Sequence, residues 1–280
     1  GIGAALNGLR PIYIHIRMDF LLLAMNQLMN IATSIPYYSE GKLSVPIVIR
    51  AIVGRGWGQG CQHSKSIQSV FAHFPGIKVV MPTTPYDAKG LLISAIRDNN
   101  PVVFIEHRWF YWRKGDVPEE PYEVKIGSCN LSRKGCDITV VATSWMVAES
   151  LHAATILSRH GIEAEVIDAR SISPLDDSVI IDSVNKTGIC LVADNDWLHC
   201  GFSGELAARV SQKCFGNLLR PVERIGFAEC QCPTQRHLEN EFYPNAEKIV
   251  RKVENIFSLK PCDLSDESFY CYEDRFKGPF

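Results

Sequence analysis

The chain has 280 residues, 46% of them hydrophobic and 21% charged, which is enough for one large or two medium globular cores. A formal net charge of -2 gives no electrostatic reason to expect nucleic acid or an anionic membrane as partner, and the longest apolar run, Phe20–Met25, is far too short to span a bilayer. The 10 cysteines are scattered, with no C-x-x-C pair and one C-x-C at Cys230 and Cys232, so reduced intracellular thiols are expected rather than a metal or redox centre.

The chain opens at Gly1 without a methionine, inside "GIGAALNGLRP", a small apolar helix that Arg10-Pro11 stops. An upstream segment is therefore expected. "IYIHI" reads as a strand, and a helix is expected from about Asp19 to Ala32, with apolar groups on more than one face. Such a helix is buried in a core or against another subunit. "VPIVIRAIV" is a β-branched run of the kind found in parallel strands covered on both faces. A glycine loop over 54–60, a helix over 64–73 and the strand "PGIKVVMP" follow. The next helix starts at Thr84 as N-cap, or at Asp87 one turn later, and stops at Asn99-Asn100-Pro101 before the buried strand "PVVFIEHR".

Residues 114–136, rich in Gly, Pro, Lys and Glu, read as a linker between a first domain over 1–113 and a second over 137–257. The second set runs "DITVVATS", a helix over 146–160, "AEVIDA", a helix near 176–184, "GICLVAD", a helix near 203–214, "VERIGF" and a last helix over 245–257. The expected class is α/β, with two doubly wound domains and a parallel sheet in each. The tail over 258–280 has no period and is expected to be loosely ordered or docked on a partner.

In order and spacing, "GAALNGLRP", the apolar helix with Asn26-Gln27, "QHS" followed by His73, "DAKGLLISAIRDNNPVVFIE" and "DARSISPLD" carry a resemblance that covers about residues 1–257. The chain resembles the beta subunit of thiamine-diphosphate-dependent 2-oxo acid dehydrogenases of the pyruvate and branched-chain type, in the transketolase-like superfamily. The resemblance implies a pyrimidine-binding domain followed by a transketolase C-terminal domain. It implies an enzyme that oxidatively decarboxylates a 2-oxo acid and passes the acyl group to lipoyl. It also implies thiamine diphosphate shared with an alpha subunit, which supplies the diphosphate and Mg2+ site through a Gly-Asp-Gly…Asn motif absent here. A second beta subunit and a lipoyl acyltransferase core are the other implied partners. Bacterial cytoplasm and mitochondrial matrix both suit such a protein.

By matched position, the resemblance gives Phe20 to the aminopyrimidine ring and His63 to proton movement and acyl transfer. It gives Ile47, Ala95, Ile96, Asp98 and Asn100 to a structural K+ held by oxygens at a helix end. On the residues alone, a histidine beside a glycine loop also reads as a cap, Phe20 as core, and "RDNNP" as a capped helix end without an ion. Two departures stand out. The family's activating glutamate falls upstream of Gly1. Arg55, Trp57 and "HIRMDF" replace smaller or more aromatic residues, and are expected to narrow or recharge the substrate channel. Two other readings stay open: a transketolase-like split subunit that transfers an activated aldehyde, and a non-catalytic assembly subunit.

Overall fold

The computed structural model describes residues 1–55 and 58–269. In chain order its regular elements begin with α1 (Ile2–Leu6), β1 (Ile12–His15), α2 (Ile35–Tyr38), β2 (Val48–Val53), α3 (Gln68–Ala72), β3 (Lys78–Val80), α4 (Pro85–Arg97) and β4 (Val102–His107). They continue with β5 (Asn130–Arg133), β6 (Ile138–Ala142), α5 (Trp145–Arg159), β7 (Ala164–Asp168), β8 (Ser171–Ser173), α6 (Ser178–Thr187), β9 (Cys190–Trp197), α7 (Phe202–Lys213), β10 (Glu223–Phe227), α8 (Arg236–Phe242) and α9 (Ala246–Phe257).

Two compact units result, and they do not follow the sequence simply. The first comprises Gly1–Arg55, Gln59–Ser128 and Ala169–Asp176; the second holds Cys129–Asp168 and the chain from Asp177. The sheet of the first unit runs β1-β2-β4-β3-β8. Its first four strands are parallel, with Val48 facing Ile12 on one side and Val102 on the other. The largely apolar character of β2 and β4, interrupted by the paired Arg50 and Glu106, follows from this central position, where both faces are covered. Strand β8 closes the far edge antiparallel to β3, with Val79 opposite Ser173.

Helix α4 begins where Thr84 Oγ1 accepts from Asp87 N at 3.0 Å, so Thr84 is the cap. Asp87 is free for another task, an ion pair with Arg170 at 2.5 Å. Val48, Val80, Leu91, Val102, Phe104 and Val124 form the core under this helix. The helix expected over 19–32 is instead a 3-10 turn, Met18–Ala24, followed by a π-helical turn, Asn26–Ala32. These irregular windings distribute the apolar residues unevenly. Leu21, Leu28 and Met29 are buried, while Phe20, Leu22, Leu23 and Ile31 stay exposed on this chain.

The second unit has sheet order β10-β9-β6-β7-β5, parallel except for β5, which pairs antiparallel with β7. Residues 130–133 are therefore a strand and not linker, and residues 169–176 lie in the first unit although the sequence reading gave them to the second domain. The core packs β6, β7 and β9 against α5 and α9 through residues such as Val140, Ala154, Val166, Leu191, Ile249 and Val253. The first part of the tail differs from expectation as well. It lies on this same unit: Leu264 joins the core, Cys262 N donates to Glu254 Oε1 at 2.6 Å, and Glu267 pairs with Arg159 at 2.7 Å. Residues 270–280 lie outside the described residues.

Glu149 ties α5 to α9. Its Oε2 accepts from Ala246 N and its Oε1 from the Trp145 indole N–H, both at 2.7 Å. Burial pushes this carboxyl up to about 7, and the two donated hydrogen bonds offset only part of that cost. A raised carboxylate pKa means that the folded state holds a proton the unfolded chain has lost. Stability from this group is therefore full below the ordinary value of 4.5 and declines as pH rises through about 7. Denaturant titrations across that window should show the native protein losing on the order of 3 kcal/mol relative to Glu149→Gln, whose side chain does not titrate. Parallel pH dependence in the two proteins would contradict this.

Candidate active site

The first unit concentrates its chemistry at the loop after β2. Gly54 turns the chain there with φ +101, and a Cβ at this position would lie 2.6 Å from His107 Nε2. Both the backbone conformation and the close approach require glycine. His107 itself is buried at the end of β4 and accepts from Trp109 N at 3.4 Å. Burial, with the nearby charge of Arg17, depresses its pKa to about 3 and keeps the ring neutral.

Four consecutive residues of the 3-10 turn and its cap then organise the loop. Arg17, 3% exposed, donates through Nη1 to Gly54 O at 2.8 Å and through Nη2 to Gln59 Oε1 at 2.5 Å. Met18 Sδ accepts from Ile67 N at 3.5 Å. Asp19 Oδ1 accepts from Lys65 Nζ at 3.2 Å, and Lys65 Nζ also donates to Cys61 O. Three residues thus hold the entry, middle and exit of the loop. The fourth, Phe20, stands edge-on to the His63 ring, with centroids 5.2 Å apart and planes at 80°. Phe20 is 47% exposed and so presents an open aromatic surface beside the imidazole.

The structure thus brings Phe20 and His63 together. The other expected site residues lie elsewhere: Ile47 just before β2, Ala95 and Ile96 in the last turn of α4, and Asp98 and Asn100 in the turn to β4. An apolar cavity of about 360 Å³ lined by Tyr13, His15, Leu21, Leu28, Ile47 and Ile49 includes neither Phe20 nor His63. Arg55 is buried with its guanidinium 5.5 Å from the centre of the Trp109 ring, so its charge is not turned to solvent in this unit. Trp57 lies outside the described residues. Arg17 and Asp19 had no signal of their own in the sequence, because charged residues flanking a helix ordinarily face water.

A thiamine-type group fits these residues. A flat heteroaromatic ring can stack on the open face of Phe20. The adjacent Asp19 Oδ2 is buried with no protein donor among the described residues, an acceptor suited to an amino group of a ligand. Among the described residues no three His, Cys, Asp or Glu side chains gather in a way that could hold a metal.

Two α/β units, the first with an aromatic and a histidine presented by a clamped glycine loop, define a transketolase-type architecture. The family model of the transketolase pyrimidine binding domain matches residues 1–111, and that of the transketolase C-terminal domain matches residues 127–249. The acetoin:2,6-dichlorophenolindophenol oxidoreductase subunit beta of Cupriavidus necator is 42% identical over 249 residues, 89% of this chain and 74% of that protein. The 2-oxoisovalerate dehydrogenase subunit beta of Bacillus subtilis is 41% identical over 251 residues, 89% of this chain and 77% of that protein. A solved structure titled as a split gene transketolase, an inactive beta4 tetramer, superimposes with a TM-score of 0.70 at 22% identity, covering 93% of this chain and 80% of that one. At that identity it supports the fold alone. The chain belongs to the family of beta subunits of thiamine-diphosphate-dependent 2-oxo acid dehydrogenases.

The clamp has a measurable consequence. Asp19→Ala removes the charged acceptor of Lys65 and leaves it Cys61 O, a loss of a charge-assisted bond of about 1.5–3 kcal/mol in a partly buried setting. Loss of that amount opens the loop about tenfold more often or more. Trypsin should accordingly cut after Lys65 about tenfold faster in Asp19→Ala than in the native protein, a difference that timed proteolysis with mass analysis resolves.

Proposed function

We propose that this chain is the pyrimidine-holding half of a thiamine-diphosphate enzyme, acting on a 2-oxo acid with lipoyl as acyl acceptor and completed by an alpha subunit that holds the diphosphate and Mg2+. The observation that carries the reading is the contact of the exposed Phe20 ring with the partly buried His63 on the clamped loop. When bound, thiamine diphosphate supplies the carbanion nucleophile and the electron sink that decarboxylation of a 2-oxo acid requires. Phe20 would hold the flat ring of the cofactor by stacking. His63 would take or give a proton at a ring nitrogen, close to the reacting atoms and to the arriving acyl acceptor. Arg17, Met18 and Asp19 position that imidazole by fixing the loop on either side of it, so that orientation is set before substrate arrives.

The exposed apolar groups of the first unit support the partner. Ile14 is 57% exposed, Ile16 77% and Leu23 87%, a surface that a second subunit would cover while excluding water from the pair. A second beta subunit and an acyltransferase core belong to the same reading. No helix among the described residues is long and apolar enough to cross a membrane, and every described cysteine is free. A reducing compartment, bacterial cytoplasm or mitochondrial matrix, suits those thiols.

The relative of 42% identity is named for acetoin, which brings acetoin forward as a second substrate class. The deciding experiment reconstitutes the complete protein with its alpha subunit, thiamine diphosphate and Mg2+. It then measures turnover of pyruvate, branched-chain 2-oxo acids and acetoin, with a lipoyl domain and with an artificial electron acceptor. Carbon dioxide release with acyl-lipoyl formation is the expected outcome. Acetoin consumption without carbon dioxide release would establish the second reading, and no turnover of any substrate would refute both. His63→Ala should lower kcat by roughly 10²–10⁴-fold with cofactor binding retained, as loss of a general acid–base group does. Phe20→Ala should act in the opposite manner, weakening cofactor binding and sparing kcat at saturation.

A further inference from the structure

The turn that ends α4 carries the oxygens that the family resemblance implies for a potassium ion, but this chain already supplies cations to several of them. Helix α4 stops as Asp98 leaves helical geometry at φ -69 and ψ 144, and only Asp98 N, donating to Ser94 O at 3.0 Å, continues its pattern. The last carbonyls of a helix lack partners within it and carry the negative end of its dipole. Here Arg10 reaches them. Its Nη1 donates to Ile96 O at 2.9 Å and to Asp98 O at 2.8 Å, and its Nη2 donates to Asn99 Oδ1 at 2.7 Å.

Two further members of the set, Ile47 O and the Asp98 carboxylate, are engaged as well. Ile47 O accepts from Val102 N at 2.9 Å. Asp98 Oδ1 accepts from Asn100 N at 2.8 Å, and Oδ2 pairs with Lys78. A guanidinium is always charged and presents its N–H groups as a planar fork, which suits several carbonyls converging at a helix end. A potassium ion on Ile96 O and Asp98 O would have to share both carbonyls with Arg10 at contact distance from its positive charge, with Lys78 nearby. The donor set therefore does not fit potassium while Arg10 is in place.

We propose that Arg10 is the resident cation of this turn, so that this chain needs no potassium there, and that removing the guanidinium turns the same oxygens into a monovalent-cation site. The inference concerns the chain's own fold and is independent of which substrate the enzyme uses.

The test uses the complete protein assembled with its alpha subunit, in matched potassium, sodium and choline chloride. Two readouts apply, the thermal unfolding midpoint and rubidium retained on equilibrium dialysis. The native assembly should unfold at one temperature in all three salts and retain no rubidium. Arg10→Ala should unfold earlier in choline, recover in potassium more than in sodium, and retain rubidium. Arg10→Lys, which keeps a charge and protects against an outcome in which Arg10→Ala fails to fold, should remain indifferent to the salt. Potassium-selective stabilisation with rubidium retention in the native assembly would overturn the proposal. So would an Arg10→Ala protein that folds and stays indifferent to potassium.

Discussion

Everything chemical in the first unit depends on one buried charge and its neighbours. Arg17 is placed where water cannot reach it, and it is tolerated because Gly54 O and Gln59 Oε1 accept its protons. A buried guanidinium stripped of such acceptors would be strongly destabilising, so the loop cannot move away from Arg17 without large cost. Met18 and Asp19 extend the same constraint toward Ile67 and Lys65. The loop that carries His63 is thus a glycine-rich segment held to a fixed frame, with glycine used for its turn at Gly54 and not for looseness. The irregular winding of residues 18–32 belongs to this arrangement. In it Met18 and Asp19 are buried against the loop while Phe20 stays exposed.

How much of this could be read beforehand depended on the kind of signal. Long β-branched runs such as those of β2, β4 and β6 announce buried parallel strands, and α4 is bounded by Thr84 and by Asn99-Asn100-Pro101. The two-domain α/β plan and the family follow from ordered motifs spread over most of the chain. Strands β5 and β8, "NLSR" and "SIS", left no such trace, being short, polar and antiparallel at sheet edges. The tail gave no period because its docking rests on single contacts, Leu264 in the core and Glu267 on Arg159. Phe20 and His63 were picked out as candidates through the family resemblance. The contacts of Arg17 and Asp19 around them, and of Arg10 at the end of α4, were not, since they exist only once distant segments meet. Arg10 in particular reads in the sequence as the end of a helix, and its partners lie more than eighty residues away.

The two units also keep their buried ionisable groups in different ways. His107 is held uncharged by burial beside Arg17, and Glu149 is pushed toward its protonated form by burial between α5 and α9. One ring loses its affinity for a proton and the other group gains it, because desolvation disfavours whichever form is charged. Acidity therefore strains the first of these sites and relieves the second.

The antiparallel contact of Ser171–Ser173 with β3 has a further implication for how this polypeptide can be divided. The first sheet is finished by residues that come more than forty positions after the main body of that unit has ended. Cutting the gene between the two matched domains would leave β3 with a row of unanswered backbone groups, an adhesive border that invites other chains. Separately expressed halves of this protein should respect that return of the chain: the first half becomes self-sufficient only when the short later segment travels with it.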